Sequence, residues 1–224
     1  MSGQSWLPRA SWLVGLLIAY PTASVAMPQM LFFPYQAQIG TTHVYAESPI
    51  DRAAMAQTLA RADARLATSP LDDRIVGTRL FLTEGGWRWL LLSFGSRTSL
   101  ALTRPMSDLM ADAVIVNRRA VAIDGAASDG IRKRRLSSVV AHERTHMLVR
   151  VHLGWVRALT LPLWKSEGYA DYVAGDSTLS AAEAERLRAA GSKHMALAYY
   201  DARLRVTAAL AKNGGDVRKL LREP

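Results

Sequence analysis

The 224-residue chain contains no cysteine. Disulfide frameworks, thiolate zinc sites and cysteine nucleophiles are therefore excluded, and any metal must be held by nitrogen and oxygen. Histidine is scarce, with five in all. Before Glu47 the only charged residue is Arg9. The run Trp12 to Ala19 is apolar, and Pro21 and the small-residue pattern Ser24-Val25-Ala26 follow it. That order predicts a secretory signal peptide over residues 1–26, or an uncleaved membrane anchor, with the folded part exported to the periplasm or the extracellular space.

Negative charge is also in short supply, with 19 acidic residues against 28 Lys and Arg for a net charge of +9. Such a balance suits contact with an anionic surface, for example phospholipid headgroups. Nucleic acid is not expected as a partner: the densest basic run, Arg132 to Arg135, has no interleaved aromatics and reads as a solvated helix start.

What is present predicts an α+β fold, with strands first and helices later. Gln38 to Glu47 reads as a strand, Ala53 to Leu66 as an amphipathic helix, Arg74 to Thr83 as a second strand and Trp87 to Phe94 as a short helix. Ala113–Val116 and Ala120–Ile123 read as two short strands, and Gly125 to Gly130 as a turn. A long helix is expected from Arg132 to Leu153 and helices thereafter, with a capping box at Ser180 and Glu183 and a last cap at Asp216. The expected organisation is an N-terminal subdomain over 36–155 and a helical C-terminal subdomain over 156–224.

Within the long helix, His142-Glu143-Arg144-Thr145-His146 matches H-E-x-x-H. Residues four apart on an α-helix differ by about 40° in direction and 6 Å in height, so both imidazoles can grip one ion. Glu143 is turned about 100° away from His142, beside the open position of such a site, where it can take a proton from water. The bland alternative is two histidines packed or solvated on a helix. Against it stands the apolar setting, Leu136, Val139, Val140 and Ala141 before and Met147, Leu148 and Val149 after, which demands partners for polar groups.

A third ligand is needed. His152 has metzincin-like spacing, but that pattern requires a glycine where this chain has Val149, and on a continuing helix His152 faces away. The other candidate is Glu167, in Trp164-Lys165-Ser166-Glu167-Gly168-Tyr169-Ala170-Asp171-Tyr172.

That segment resembles the W-x-x-E-G-x-A-x-Y stretch of gluzincins, the peptidase MA-like zinc metallopeptidases, in the correct order after H-E-x-x-H. The resemblance spans about Val139 to Val173. It implies a zincin-like fold, a small N-terminal sheet packed on a central H-E-x-x-H helix. It also implies that His142, His146 and Glu167 bind Zn2+, that Glu143 is the catalytic base, and that a peptide or protein is the substrate. Asp171, four residues after Glu167, can accept the outer N–H of a ligand histidine. The resemblance assigns oxyanion stabilisation to Tyr200, with Tyr199 and His194 as alternatives and simple helix packing as the competing explanation. No G-x-M-E-N segment is present, so exopeptidase action is unsupported. The Ala113–Val116 strand is expected either to lie at the sheet edge, where an extended substrate pairs, or in the core. Two other readings are a catalytically degenerate zincin serving as an envelope scaffold, and a basic membrane-surface protein without metal.

Overall fold

The computed structural model describes residues 27–71, 78–104, 112–124 and 133–223. The predicted leader and the Gly125 to Gly130 turn lie outside the described residues.

The fold is α+β, with a mixed five-stranded sheet of order β1-β2-β3-β5-β4. The strands are β1 (Tyr35–Ile39), β2 (Thr42–Ala46), β3 (Thr78–Thr83), β4 (Ala101–Arg104) and β5 (Ala113–Asn117). β2, β3 and β5 run parallel, and β1 and β4 pair antiparallel at the two edges. Helix α1 (Arg52–Leu66) connects β2 to β3, and α2 (Trp87–Leu92) follows β3.

Alternation along the strands sorts the core into two layers, because successive side chains leave a strand on opposite faces. Val44, Leu80, Leu82, Val114 and Val116 pack toward α1 and the long helix α3 (Leu136–Leu153). Tyr45, Phe81, Ala113 and Ile115 face the other way, against Leu31, Phe33 and Trp89. The sheet is thus covered on both sides, which is what parallel strands require.

Helix α3 is central, with thirteen of its 18 residues buried. Its start is capped from a distance: Asp124 accepts bonds from the Ser137 amide at 2.9 Å and the Ser137 hydroxyl at 2.5 Å. Beyond Gly154 come α4 (Trp155–Leu159), α5 (Leu163–Ala174), α6 (Ala181–Ala189), α7 (Met195–Lys212) and α8 (Val217–Arg222). The second core cluster joins Leu148 and Val149 of α3 to Tyr169, Val173, Val206, Leu210 and Leu221, so apolar packing runs across the expected boundary near residue 155. The capping box at Ser180 and Glu183 and the Asp216 cap are both formed.

Two strand expectations are corrected and a third, left open, is decided. Gln38 to Glu47 is not one strand but the tip of a hairpin, because Gly40 takes a positive φ of 56° and reverses the chain before Thr42. Residues 120–123 form no extended strand: the Asn117 side chain accepts from the Arg119 amide and turns the backbone into a 3-10 helix over Arg118–Ala120. The Ala113 to Val116 strand takes the core alternative, since it lies between β3 and β4. The edge beside α3 is β4, for which the sequence carried no clear period.

Candidate metal centre

His142 and His146 project from one face of α3, and Glu167 comes from the second turn of α5, which packs against α3. The Nε2 atoms of the two histidines are 3.2 Å apart. Glu167 Oε2 is 3.3 Å from His142 Nε2, and Glu167 Oε1 is 3.6 Å from His146 Nε2. Two ligand atoms each about 2.1 Å from a tetrahedral ion stand roughly 3.4 Å from one another. The triangle of donors therefore has the size that an ion such as zinc demands, and among the described residues these three form the group able to hold a metal. His152, in the last turn of α3, lies outside that group.

Gly168 explains how Glu167 arrives. A Cβ at Gly168 would come within 2.5 Å of the Ala202 carbonyl oxygen and 2.9 Å of a Val206 methyl. Only glycine lets α5 lie this close to α7 and so hold its preceding residue over the histidines. Behind the ligands, the Asp171 carboxylate accepts from His142 Nδ1 at 2.7 Å and from Arg134 Nη1 at 2.8 Å. With Nδ1 donating to Asp171, His142 presents Nε2 to the ligand triangle, and loss of the Nε2 proton leaves the tautomer a metal needs.

The electrostatics of the metal-free cluster follow from this packing. Burial alone would disfavour a charged His142, but hydrogen bonds to Asp171 and Glu167 outweigh it and raise its pKa to about 9. Burial and the neighbouring His142 charge lower that of His146. Burial works to raise Glu167 and Asp171, yet the histidine contacts, joined by Arg134 at Asp171, leave both below the usual carboxylate range. Two carboxylates thus stay charged against one imidazolium in the absence of an ion.

Glu143 is not in the triangle. Its Oε2 accepts from the Thr103 hydroxyl of β4 at 2.6 Å, and its backbone carbonyl lies 2.9 Å from the same oxygen. Thr103 therefore ties the edge strand to the motif helix and holds the carboxylate in place. A cavity of about 380 Å³ opens over His142, Glu143, His146 and Glu167 between β4 and α4. A neighbouring cavity of about 280 Å³ continues past Ser99, Ala101, Glu143 and Tyr199 toward His194. The two make a cleft that runs along β4 on both sides of the ligand triangle.

Tyr200 is not among the cleft-lining residues. Its ring lies against the Arg188 guanidinium, 5.8 Å from centroid to carbon, on the side facing α6. Its neighbour Tyr199 lines both cavities. Adjacent helix residues point about 100° apart, so only one of the pair can face the site. Burial, then the negative charges of Glu167, Asp171 and Glu143, raise the Tyr199 pKa, so its phenol keeps a proton to donate. His194 caps α7 by accepting from the Ala196 amide.

Two residues that reach the site were missed in the sequence. Thr103 sits in an unrecognised strand. Arg134, expected to be solvated, is buried against Asp171; Lys133 and Arg135 beside it are exposed. No family model, curated protein or solved structure matches the chain, so the site's geometry and the resemblance of its two motifs carry the functional argument.

Proposed function

We propose that this protein is an exported zinc peptidase with a zincin-like fold of the gluzincin kind, cleaving within polypeptide chains. The observation that carries the reading is the triangle of His142, His146 and Glu167 at tetrahedral spacing, with a non-ligand carboxylate, Glu143, beside it. A binding scaffold has no use for that carboxylate; a hydrolase does.

A zinc ion held by the triangle supplies Lewis acidity and brings a water molecule's pKa to about 7. Glu143 takes the proton from the attacking water and later passes it to the leaving amine. The Thr103 hydroxyl keeps the Glu143 carboxylate oriented toward the cleft. Tyr199 donates its phenolic proton in a hydrogen bond to the carbonyl oxygen as negative charge develops there. The substrate lies extended along β4, which among the described residues has no strand on its outer side. Because the cleft continues on both sides of the triangle, chain on either side of the scissile bond is accommodated.

The test measures zinc content beside turnover of a mixed peptide library. The expected result is one zinc per chain with cleavage, and a Glu143→Gln variant that keeps its zinc while losing about 10³-fold in kcat. Parental turnover in that variant removes Glu143 from the mechanism; stoichiometric zinc with no turnover in the parent favours the scaffold.

A further inference from the structure

Helix α4 has no buried residue, although four of its five residues, Trp155, Val156, Ala158 and Leu159, are apolar. Val156 is 78% and Leu159 77% exposed, Trp155 is 44% exposed, and Leu163 at the start of α5 is 46% exposed. An isolated exposed leucine needs no explanation, but four large apolar side chains within nine residues form a patch that water disfavours.

Cations surround the patch. Arg157 is exposed on α4 and donates to the neutral carbonyl of Arg222, which brings α8 alongside. Arg205 lies over the Trp164 ring at 3.8 Å. Burial lowers the Lys165 pKa against the pull of Glu223, and the charges of Arg157 and Arg205 lower it further. Among the described residues, Arg157, Arg205 and Arg222 have no carboxylate partner. Glu223, next to Arg222, pairs with Lys219 at 3.8 Å, and Asp201, four residues before Arg205, pairs with Arg188.

We propose that α4 and its cationic rim form a docking surface for an anionic lipid bilayer, into whose headgroup layer Trp155, Val156, Leu159 and Leu163 insert. A protruding apolar helix, a tryptophan and guanidinium groups free of acidic partners are what an interfacial helix presents to such a membrane. A protein partner or a second copy would have to supply a concave apolar socket with fixed carboxylates; lipid supplies mobile negative charge and an apolar layer without either. Trp155 and Leu159 also line the cleft. Docking would therefore bring the cleft mouth to the bilayer surface. On the peptidase reading, the substrates are then polypeptides held at that surface.

The absence of cysteine makes a single reporter possible. In the full chain, Val156→Cys carries an environment-sensitive fluorophore, with Gln57→Cys on the exposed face of α1 as control. Vesicles of phosphatidylcholine alone are compared with vesicles in which about one-third of the lipid is phosphatidylglycerol. The expected result is a blue shift and shielding from aqueous quencher at position 156 on the anionic vesicles, with none at position 57. Adding Arg157→Glu and Arg222→Glu should raise the lipid concentration for half the shift by roughly 30-fold or more. Because each position reports its own surroundings, an anchoring leader does not imitate this pattern.

A label at 156 that stays in water on anionic vesicles overturns the proposal. So does a shift that grows with protein concentration in the absence of vesicles, which identifies a second copy as the occupant. Cleavage of a peptide anchored by an acyl chain is measured against the same peptide free in solution. Insertion without cleavage of either peptide upholds the docking surface and overturns only the hydrolase reading. Cleavage of the free peptide without insertion does the reverse.

Discussion

The two sides of helix α3 carry polar groups into the interior for opposite purposes. On one side His142, Glu143 and His146 meet the cleft, and their atoms converge on a space left between them. On the other, the Arg144 guanidinium is engaged through both terminal nitrogens. Its guanidinium donates to Asp63 at 2.6 Å, to Thr42 at 2.6 Å and to Thr78 at 2.5 Å, joining α3 to α1 and to the paired strands β2 and β3. Both sides face the cost of burying polar atoms in a helix that is apolar elsewhere. Arg144 meets most of it, because both terminal nitrogens donate within the protein and its Nε alone is left without a partner. On the cleft side Asp171 takes His142 and Arg134, while the Nε2 atoms of His142 and His146 converge with the Glu167 carboxylate. The first arrangement joins elements together, and the second gathers donors able to share one ion.

Separating the two sides by mutation tests that contrast. The largest effect on stability should come from Arg144→Ala, which leaves a void and removes the cation from the Thr42 and Thr78 hydroxyls, left with only each other, at a cost of about 3 kcal/mol. Chemical denaturation reads this, and zinc stoichiometry in the folded fraction should stay at that of the parent. A variant that loses zinc while remaining fully stable would join the two sides functionally. On the cleft side, Arg134→Met removes a partner of Asp171 without touching a ligand. Zinc affinity should fall about 10- to 100-fold, with the midpoint of unfolding of the metal-free protein moving less than in Arg144→Ala.

Acidity sharpens the same contrast. In the metal-free protein the His142 pKa is raised to about 9 from an unfolded value near 6.5. The charged His142 pair with Asp171 therefore contributes stability that is complete below about pH 6.5 and is lost as pH rises through 9. On the proposed reading a zinc ion displaces that proton, so its apparent affinity should rise about tenfold per pH unit between roughly 7 and 9 and then level off. Thermal melts with and without zinc over this range should move apart as pH rises; parallel curves would mean that His142 carries no proton there. The smallest effect belongs to Thr103→Val. On the peptidase reading, losing one hydroxyl contact to Glu143 should lower kcat a few-fold with zinc content and KM unchanged, whereas a raised KM would mark simple loosening of β4.

How much of this was readable in advance differs by element. Helices with strong caps and helical spacing, such as α1 and α6, were legible because their signals are local. The β4 strand was not, being four residues with an arginine at one end whose place depends on pairing with β5. The resemblance pointed to Tyr200, whereas Tyr199 lines the cleft, because the two differ only in the direction they leave α7. Arg134 looked solvated in a run of four basic residues, and its burial depends on Asp171, 37 positions along the chain.

The sequence by itself determined the spacing of His142 and His146 on one helical face, the place of Glu143 between them, the nitrogen and oxygen character of any metal site, and the general order of strands and helices. These are consequences of helical pitch, composition and local propensity, which require no knowledge of the remaining chain. Only the tertiary structure decided that Glu167 reaches the two imidazoles, that Asp171 and Arg134 stand behind His142, that Thr103 holds Glu143, and that Tyr199 faces the cleft. Each of those depends on two elements meeting at a particular distance and angle, and the packing that brings them together, including the Gly168 contact between α5 and α7, is a property of the whole fold.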